Sequence, residues 1–359
     1  MLDIILACCL STDLMFLSHE RLESLSFAFR RLALESGGTY KLQEIRDQEN
    51  WRIEEAVRMT DSNRKAFDEL LAENEEFRKL GPHERFLILR ERESWQGTSS
   101  VALASLLHDV RTVERSIFKG DSPDSRGPEG VTCLMYAAEY GDLELLKFLL
   151  NKGATVDLRD ESGMTALYHA ALHGRHQAVE LLLTLGANPN ITPSDRRTLL
   201  HVAVASGNHE TIEFVLKMRP VVDAQSESGI TPLILATMNR DSSIVKLLLD
   251  SGANPNISDS EGTTPLIVAT TDDEAFLPAN SECVRLLLAH GALANAQDGK
   301  GWTPLMGASL YGELEVVREL VASGADSSMT DTQGRSALGL AKQARKQDIV
   351  AYLAGLSSR

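Results

Sequence analysis

Hydrophobic and polar positions repeat in a fixed order along the C-terminal two-thirds of the chain. A short apolar stretch follows a threonine or serine, a break comes next, and a longer apolar stretch, such as LELLKFLL at 143–150 or IVKLLL at 244–249, completes the cycle. Apolar residues spaced three and four apart predict amphipathic helices. Each cycle therefore predicts a short helix, a tight turn and a longer helix.

The cycle has a constant length. Gly130 and Gly163 are 33 residues apart, and Gly229 and Gly262 are again 33 apart. The step from Gly262 to Gly301 is 39 residues, which is one period plus six inserted residues. A fixed period of this size indicates an array of structural repeats rather than a single-core domain.

The start of each short helix has its own signature. Two residues after each period position stands a hydroxyl residue: Thr132, Thr165, Thr198, Thr231, Thr264, Thr303 and Ser336. Such a side chain can accept a hydrogen bond from the first helical turn, and the proline that often follows loses nothing at that position. Further along comes an alanine in every cycle: Ala137, Ala170, Ala203, Ala236, Ala269, Ala308 and Ala341. A small residue fixed on one helix face predicts close approach of a neighbouring backbone.

Glycines mark the ends of the predicted helices. The short helix commonly ends at a glycine such as Gly141 or Gly174, and the longer helix ends at a Gly-Ala pair such as Gly153-Ala154. Glycine adopts the left-handed backbone that closes a helix without strain. Arg196 stands where the period requires a glycine. A polar segment with Asn or Asp near its middle then leads to the next cycle, as expected of an extended, hairpin-like loop.

The order G-x-T-P-L-x-x-A, then Gly, then V-x-x-L-L, then G-A-x-x-N resembles the ankyrin repeat, over about 230 residues. The resemblance implies an all-α ankyrin-repeat solenoid of helix-turn-helix units with projecting hairpin loops, each unit stacked on its neighbours. We expect a helical N-terminal segment to precede it.

The predicted boundary between the two parts lies near residue 97. Counting back one period from Gly130 gives Gly97, so residues 97–129 are interpreted as a degenerate first repeat of an array over 97–359. Residues from about 331 to 359 have a polar first helix and are interpreted as a C-terminal cap, because a terminal repeat needs a wettable outer face. Residues 1–96 form a helical segment of unknown type: an extension packed on the first repeat, or a partner-binding or oligomerising helical pair.

Net charge and cysteine usage limit the classes of partner and the cellular compartments that we expect. With 36 Lys and Arg against 51 Asp and Glu, the net charge of −15 disfavours nucleic acid and anionic membranes. The apolar start at 1–17 lacks a basic leader and is interpreted as a buried helix rather than a signal peptide or an anchor. Four cysteines without a CxxC spacing indicate a reducing compartment, cytoplasmic or nuclear.

No catalytic motif or cofactor-binding loop stands out, so an enzyme is not expected. His169, His173 and His176 have a spacing that a metal site could use, but Gly174 interrupts the helix between them. Structural or contact histidines are therefore favoured, and no metal or cofactor is predicted. The resemblance implies a protein-protein interaction module or adaptor. The alternatives are a regulatory or targeting part of an enzyme complex and a fragment of a larger multidomain protein.

Binding residues follow from the surface that the family uses, which is the concave face formed by the loop tips and the shorter helices. The positions read there are Tyr140, Met164, Leu172, His173, Arg197, Ile230, Met238, Trp302, Leu310 and Tyr311. Trp302, Leu310 and Tyr311 are the predicted hot spot, and we expect Trp302 to be exposed. The competing interpretation packs Trp302 on the neighbouring hairpin.

Acidic residues suggest the charge of the partner. Glu139, Glu161, Glu227 and Glu261 lie at or beside the predicted binding positions, which favours a partner with a basic segment. The insertion within TTDDEAFLPANSE at 270–282 predicts an acidic loop with an aromatic tip. It is either a contact for that basic segment or a tolerated surface excursion.

Overall fold

A computed structural model describes residues 100–106, 109–271, 280–311 and 314–356. The predicted helical N-terminal segment, the apolar start and most of the inserted loop lie outside these residues. Within them the regular elements are helical, and the hairpin loops contribute only isolated bridges, Arg126 with Thr132 and Thr330 with Ser336. The predicted all-α repeat class is confirmed.

The chain divides into two compact units, and the first ends at Ser194. Its described helices form three pairs: α1 (Ser100–Leu106) with α2 (Val110–Phe118), α3 (Cys133–Tyr140) with α4 (Leu143–Asn151), and α5 (Ala166–Leu172) with α6 (His176–Thr184). The first pair lies in the segment predicted as a degenerate repeat. The boundary at residue 97 remains a prediction.

The second unit begins at Asp195. Its described helices form five pairs: α7 (Leu199–Ser206) with α8 (His209–Lys217), α9 (Pro232–Met238) with α10 (Ser242–Asp250), α11 (Pro265–Thr270) with α12 (Ser281–Ala289), α13 (Pro304–Leu310) with α14 (Leu314–Ala322), and α15 (Ala337–Gln343) with α16 (Gln347–Leu356). Within each unit, short helices pack against short helices of the next repeat and long helices against long ones.

The short helices begin as the sequence predicts at most of the threonines. The side chains of Thr132, Thr231 and Thr303 accept hydrogen bonds from the backbone N–H three residues on, at 3.4, 3.2 and 3.2 Å. Thr165 makes no such bond. Thr198 bonds instead to the imidazole Nδ1 of His201. The capping prediction is therefore wrong at Thr165. At Thr198 the hydroxyl pairs with the imidazole of His201.

Small residues allow the short helices to approach closely. The alanines repeated in every cycle are all buried. Gly307 of α13 is closer still to its neighbour, because a Cβ built on it would lie 2.8 Å from the carbonyl oxygen of Thr270. The predicted close approach of neighbouring backbones therefore holds, and at Gly307 it leaves no room for a side chain.

Consecutive hairpin loops are joined by backbone hydrogen bonds. In the first unit the Glu161 N–H donates to the carbonyl of Glu129 at 2.9 Å. In the second unit the Ser260 N–H donates to Ser228 and the Gly299 N–H to Glu261, at 2.9 and 2.7 Å. The same bond recurs in successive repeats and joins each loop to the loop of the next repeat, so the loops form a ladder along each unit.

The Asn and Asp residues of the polar segment form a second ladder. Asp124 accepts a hydrogen bond from the Thr155 N–H at 2.8 Å, and Asn256 accepts one from the Leu293 N–H at 2.8 Å. These side chains therefore join one repeat to the next, which goes beyond the loop preference that predicted them.

Arginine replaces glycine at several left-handed positions. Arg196 has a φ of 63° and so keeps the backbone conformation of the glycine it replaces. Arg219 stands at the end of α8 with a φ of 55°, and Arg240 and Arg345 stand at mid-repeat turns with φ values of 59° and 58°. The repeat geometry is thus kept at these four positions without glycine, at a cost of roughly 1–2 kcal/mol each.

Candidate protein-interaction surface

Beneath the surface of the second unit, a buried histidine joins two repeats. The Thr198 N–H donates to His201 Nδ1 at 3.1 Å, and His201 Nε2 lies 2.9 Å from the carbonyl oxygen of Ile230. Nδ1 therefore acts as acceptor and Nε2 as donor, which is the neutral imidazole. Burial lowers the pKa of His201 from 6.5 to about 4. The short helix α7 is thereby fixed to the hairpin that follows it.

The C-terminal ends of several short helices reach the surface. We call these ends, with the turn that follows each, the short-helix face of a unit. In the first unit, Tyr140 at the end of α3 is 37% exposed, and Leu172 and His173 at the end of α5 are partly buried. Glu139 links the two ends, since its carboxylate is 3.5 Å from His173 Nε2 and its carbonyl accepts from Arg175 Nε at 2.9 Å.

The second unit has the same arrangement with different side chains. Met238 at the end of α9 is partly buried, as are Leu310 and Tyr311 at the end of α13. Lys342 at the end of α15 and Arg345 in the turn after it are exposed. The short-helix face of this unit therefore combines apolar side chains with positive charge.

The predicted loop-tip positions do not lie at the loop tips. Met164, Arg197, Ile230 and Trp302 are 8, 6, 9 and 8% exposed. The expectation that Trp302 is exposed is therefore wrong, and the same holds for the three equivalent residues. That the ten predicted residues contact a partner remains a prediction.

The reason lies in how each hairpin closes. The Trp302 N–H donates to the carboxylate of Asp298 at 2.7 Å, and the Asp298 N–H donates back to the Trp302 carbonyl at 3.1 Å. Asp160 and Met164 form the same pair of bonds, at 2.8 and 2.9 Å. The residue after the period glycine therefore stands at the base of the hairpin, and its side chain is directed into the protein.

Trp302 packs as the competing interpretation proposed. The guanidinium of Arg335, from the next repeat, lies over its ring at 5.5 Å from the centroid. Arg335 is held there by Asp331, which accepts from Arg335 Nε at 2.7 Å. The indole is therefore covered by the neighbouring hairpin, and Trp302 acts as a structural residue within its unit.

The real tips are the two residues before the period glycine, of which the sequence analysis named only Glu161, Glu227 and Glu261, for their charge. The exposed pairs are Glu161 and Ser162, Ser260 and Glu261, Gly299 and Lys300, and Thr332 and Gln333. A signal was available, because an aspartate recurs four residues before the residue that follows the period glycine, as in Asp160, Asp259, Asp298 and Asp331. Aspartate commonly bonds to backbone N–H groups in turns, so the recurring residue marks the hairpin base.

Negative charge is concentrated near one tip of the second unit. Burial raises the pKa of Asp259, and the charge of Asp298 adds to this effect. The pKa of Glu261 is raised by burial first and then by Asp259. Glu261 was among the acidic residues that suggested a basic partner, and it remains at the surface.

The three histidines weighed as a metal site have separate environments. His169 is buried and its Nε2 lies 2.9 Å from Asp160 Oδ2. His173 lies near Glu139, and His176 is the first residue of α6. Gly174 separates the two helices with a φ of 62°. No group of possible metal ligands occurs among the residues that the structure describes.

Helix pairs that stack on one another within each unit and are joined by their loops define a helical repeat protein of the interaction-module class. The family model for ankyrin repeats matches residues 101–193, 200–298 and 275–358. The chain belongs to the ankyrin repeat family, as the residue pattern predicted, and proteins of this kind are general protein-protein interaction modules. No curated protein matches the chain. None of the helices in the described ranges is long and apolar enough to cross a membrane.

Proposed function

We propose that this chain is a non-enzymatic adaptor that binds a protein partner on the short-helix faces of its repeats. The observation that carries the proposal is that partly exposed apolar and aromatic side chains stand at the short-helix ends within each unit: Tyr140 and Leu172 in the first unit, Met238, Leu310 and Tyr311 in the second. Aromatic residues and methionine are enriched at the centres of interfaces.

The first unit favours a partner with a basic segment. Glu139 is half-buried between Tyr140 and His173, and Asp142, three residues later, caps the start of α4. A carboxylate beside aromatic and apolar side chains suits a lysine or arginine that lies along the ring and ends at the charge. The acidic surface and the net charge of −15 argue against nucleic acid and anionic membranes as partners.

We further propose a cytoplasmic or nuclear location. Cys133 and Cys283 are buried free thiols, as expected in a reducing compartment.

Site-specific photocrosslinking tests the proposal. A photoreactive amino acid replaces Leu172 or Leu310 in the full chain, and crosslinked proteins are identified by mass spectrometry. The matched control position is Leu185, which follows the long helix α6 and is 47% exposed. We expect a common partner at Leu172 and Leu310 and not at Leu185. Crosslinking of the partner at Leu185 alone would place the binding surface on the long helices.

A further inference from the structure

The last turn of the second unit reverses the charge of the rest of the chain. Lys342 lies in the last helical turn of α15. Arg345 and Lys346 lie in the connection that leads to α16. We call these three residues the basic turn. The chain as a whole carries −15, so three cations within five residues form a local exception.

Backbone hydrogen bonds hold the basic turn, and two of its three side chains are exposed. The Arg345 N–H donates to the Lys342 carbonyl at 3.1 Å, and the Lys346 N–H donates to the Ala341 carbonyl at 3.0 Å. Lys342 and Arg345 are exposed. Among the described residues, no carboxylate forms an ion pair with any of the three cations, although Asp348 is close in sequence.

Arg345 has a left-handed backbone, as do Arg196, Arg219 and Arg240. Its φ of 58° is left-handed, and the equivalent positions Gly141 and Gly207 hold glycine with φ values of 73° and 68°. Replacing Arg345 by glycine therefore removes the charge together with the backbone strain.

The neighbouring repeat supplies an apolar contact beside the charge. Helix α13 packs against α15, so Leu310 and Tyr311 occupy the same helix end one repeat before the basic turn. Helices in contact have axes about 8–10 Å apart, a distance that three residues of extended peptide can span. The two helix ends together match a short peptide with an apolar residue next to carboxylates.

We propose that the basic turn binds an acidic segment of the partner protein, with Leu310 and Tyr311 holding an apolar side chain of the same segment. The inference rests on the proposed function and adds the chemistry of the partner at this end of the second unit. An acidic peptide is favoured over nucleic acid, because the surrounding negative charge would repel a long polyanion beyond the few phosphates at the turn.

Selection of decapeptides from a random phage-displayed library on the full chain tests the inference. We expect the selected peptides to include a class that holds more Asp and Glu than Lys and Arg and that binds more weakly as salt increases. A selected peptide should lose about fivefold or more in affinity for the double variant Lys342→Gln/Arg345→Gly, since partly exposed ion pairs contribute modestly.

The matched control is Lys217→Gln/Arg219→Gly. It removes the same charges at the end of α8, where Arg219 is also left-handed. Both double variants relieve strain and should be at least as stable as wild type, but only the first should lose peptide affinity. Equal loss in both, or no loss in either, would overturn the inference.

The remaining outcomes separate this inference from the proposed function. Selection of neutral or basic peptides alone, with no acidic class, contradicts the acidic segment and leaves peptide binding intact. Binding of a fluorescent single-stranded DNA oligonucleotide that only the first double variant abolishes assigns the turn to nucleic acid and overturns the inference. Failure to enrich any peptide over bare support contradicts both proposals.

Discussion

Lowering the pH should destabilise the second unit through His201. The unfolded imidazole titrates near 6.5, whereas burial holds the folded pKa near 4. Between these values the unfolded chain binds a proton that the folded chain cannot accept, so the free energy of unfolding falls as the pH falls. The contribution is fully present above about pH 6.5 and is lost as the pH approaches 4.

The size of the effect follows from the two pKa values. Each pKa unit corresponds to about 1.4 kcal/mol, so the shift from 6.5 to about 4 is worth about 3 kcal/mol in total. Integration between about pH 7 and about pH 5 gives a loss of about 2 kcal/mol from this residue.

Urea unfolding followed by circular dichroism, for wild type and His201→Gln at each pH, isolates the contribution. Glutamine does not titrate, and at neutral pH it should cost about 1–3 kcal/mol because the bonds to Thr198 and Ile230 are disturbed. The two stability curves should therefore converge as the pH falls. His209→Gln, at a side chain 46% exposed, controls for loss of an imidazole outside the core.

A direct readout is the NMR titration of the His201 ring in the folded protein. The resonance should stay in its neutral position until the pH approaches 4. Parallel stability curves for wild type and His201→Gln, or a folded midpoint above about 6, would refute the reasoning, because burial would then not oppose protonation.

Three further substitutions test the packing by the same unfolding assay. Arg196→Gly should raise the free energy of unfolding by up to about 1 kcal/mol, because glycine removes the strain of a φ of 63°; a decrease would show that the guanidinium contributes more than the strain costs. Gly307→Ala should lower stability by about 1–3 kcal/mol, since its Cβ would lie 2.8 Å from the Thr270 carbonyl, whereas Gly339→Ala, with the nearest atom at 3.6 Å, should be neutral or stabilising; equal effects would contradict the close approach. Trp302→Ala should cost about 3–5 kcal/mol, as expected of a buried indole, and a change below about 1 kcal/mol would show that the ring is not part of the core.

The fold could be predicted because its determinants are local and periodic. A threonine followed by proline two residues after the period position starts a short helix, and a left-handed glycine commonly ends one. Even Arg196, which breaks the glycine pattern, was found by position alone, because the period fixes which residue must adopt the left-handed backbone.

The direction of the residue after each period glycine could not be read in the same way. Trp302 looked like an interface residue by type, since tryptophan is common at interface centres and equally at home in a core. Its burial depends on Asp298 of its own hairpin and Arg335 of the next repeat. The first contact had a sequence signal in the recurring aspartate, but the second required three-dimensional information.

The charge of the binding surface shows a similar limit. The glutamates beside the helix ends, such as Glu139, suggested one partner chemistry for the whole array. By sequence, Lys342 and Arg345 belong only to the polar part of the predicted C-terminal cap. The packing of α13 against α15 places them at the same helix end as Leu310, one repeat later, and the sequence alone does not show this contact.

The ladder of loop hydrogen bonds makes whole repeats interchangeable. Ser228, Glu261 and Gly299 use only main-chain groups for the bonds between their loops, so these bonds do not depend on which side chain stands at each position. Excising residues 229–261 would put the Ser228 carbonyl in the place of the Glu261 carbonyl. The Gly299 N–H would then donate to Ser228, and the bond between the two loops would be kept. Gene segments of one period can therefore be lost or duplicated without leaving an unpaired loop, and the number of repeats can change independently of the surface that any one of them carries.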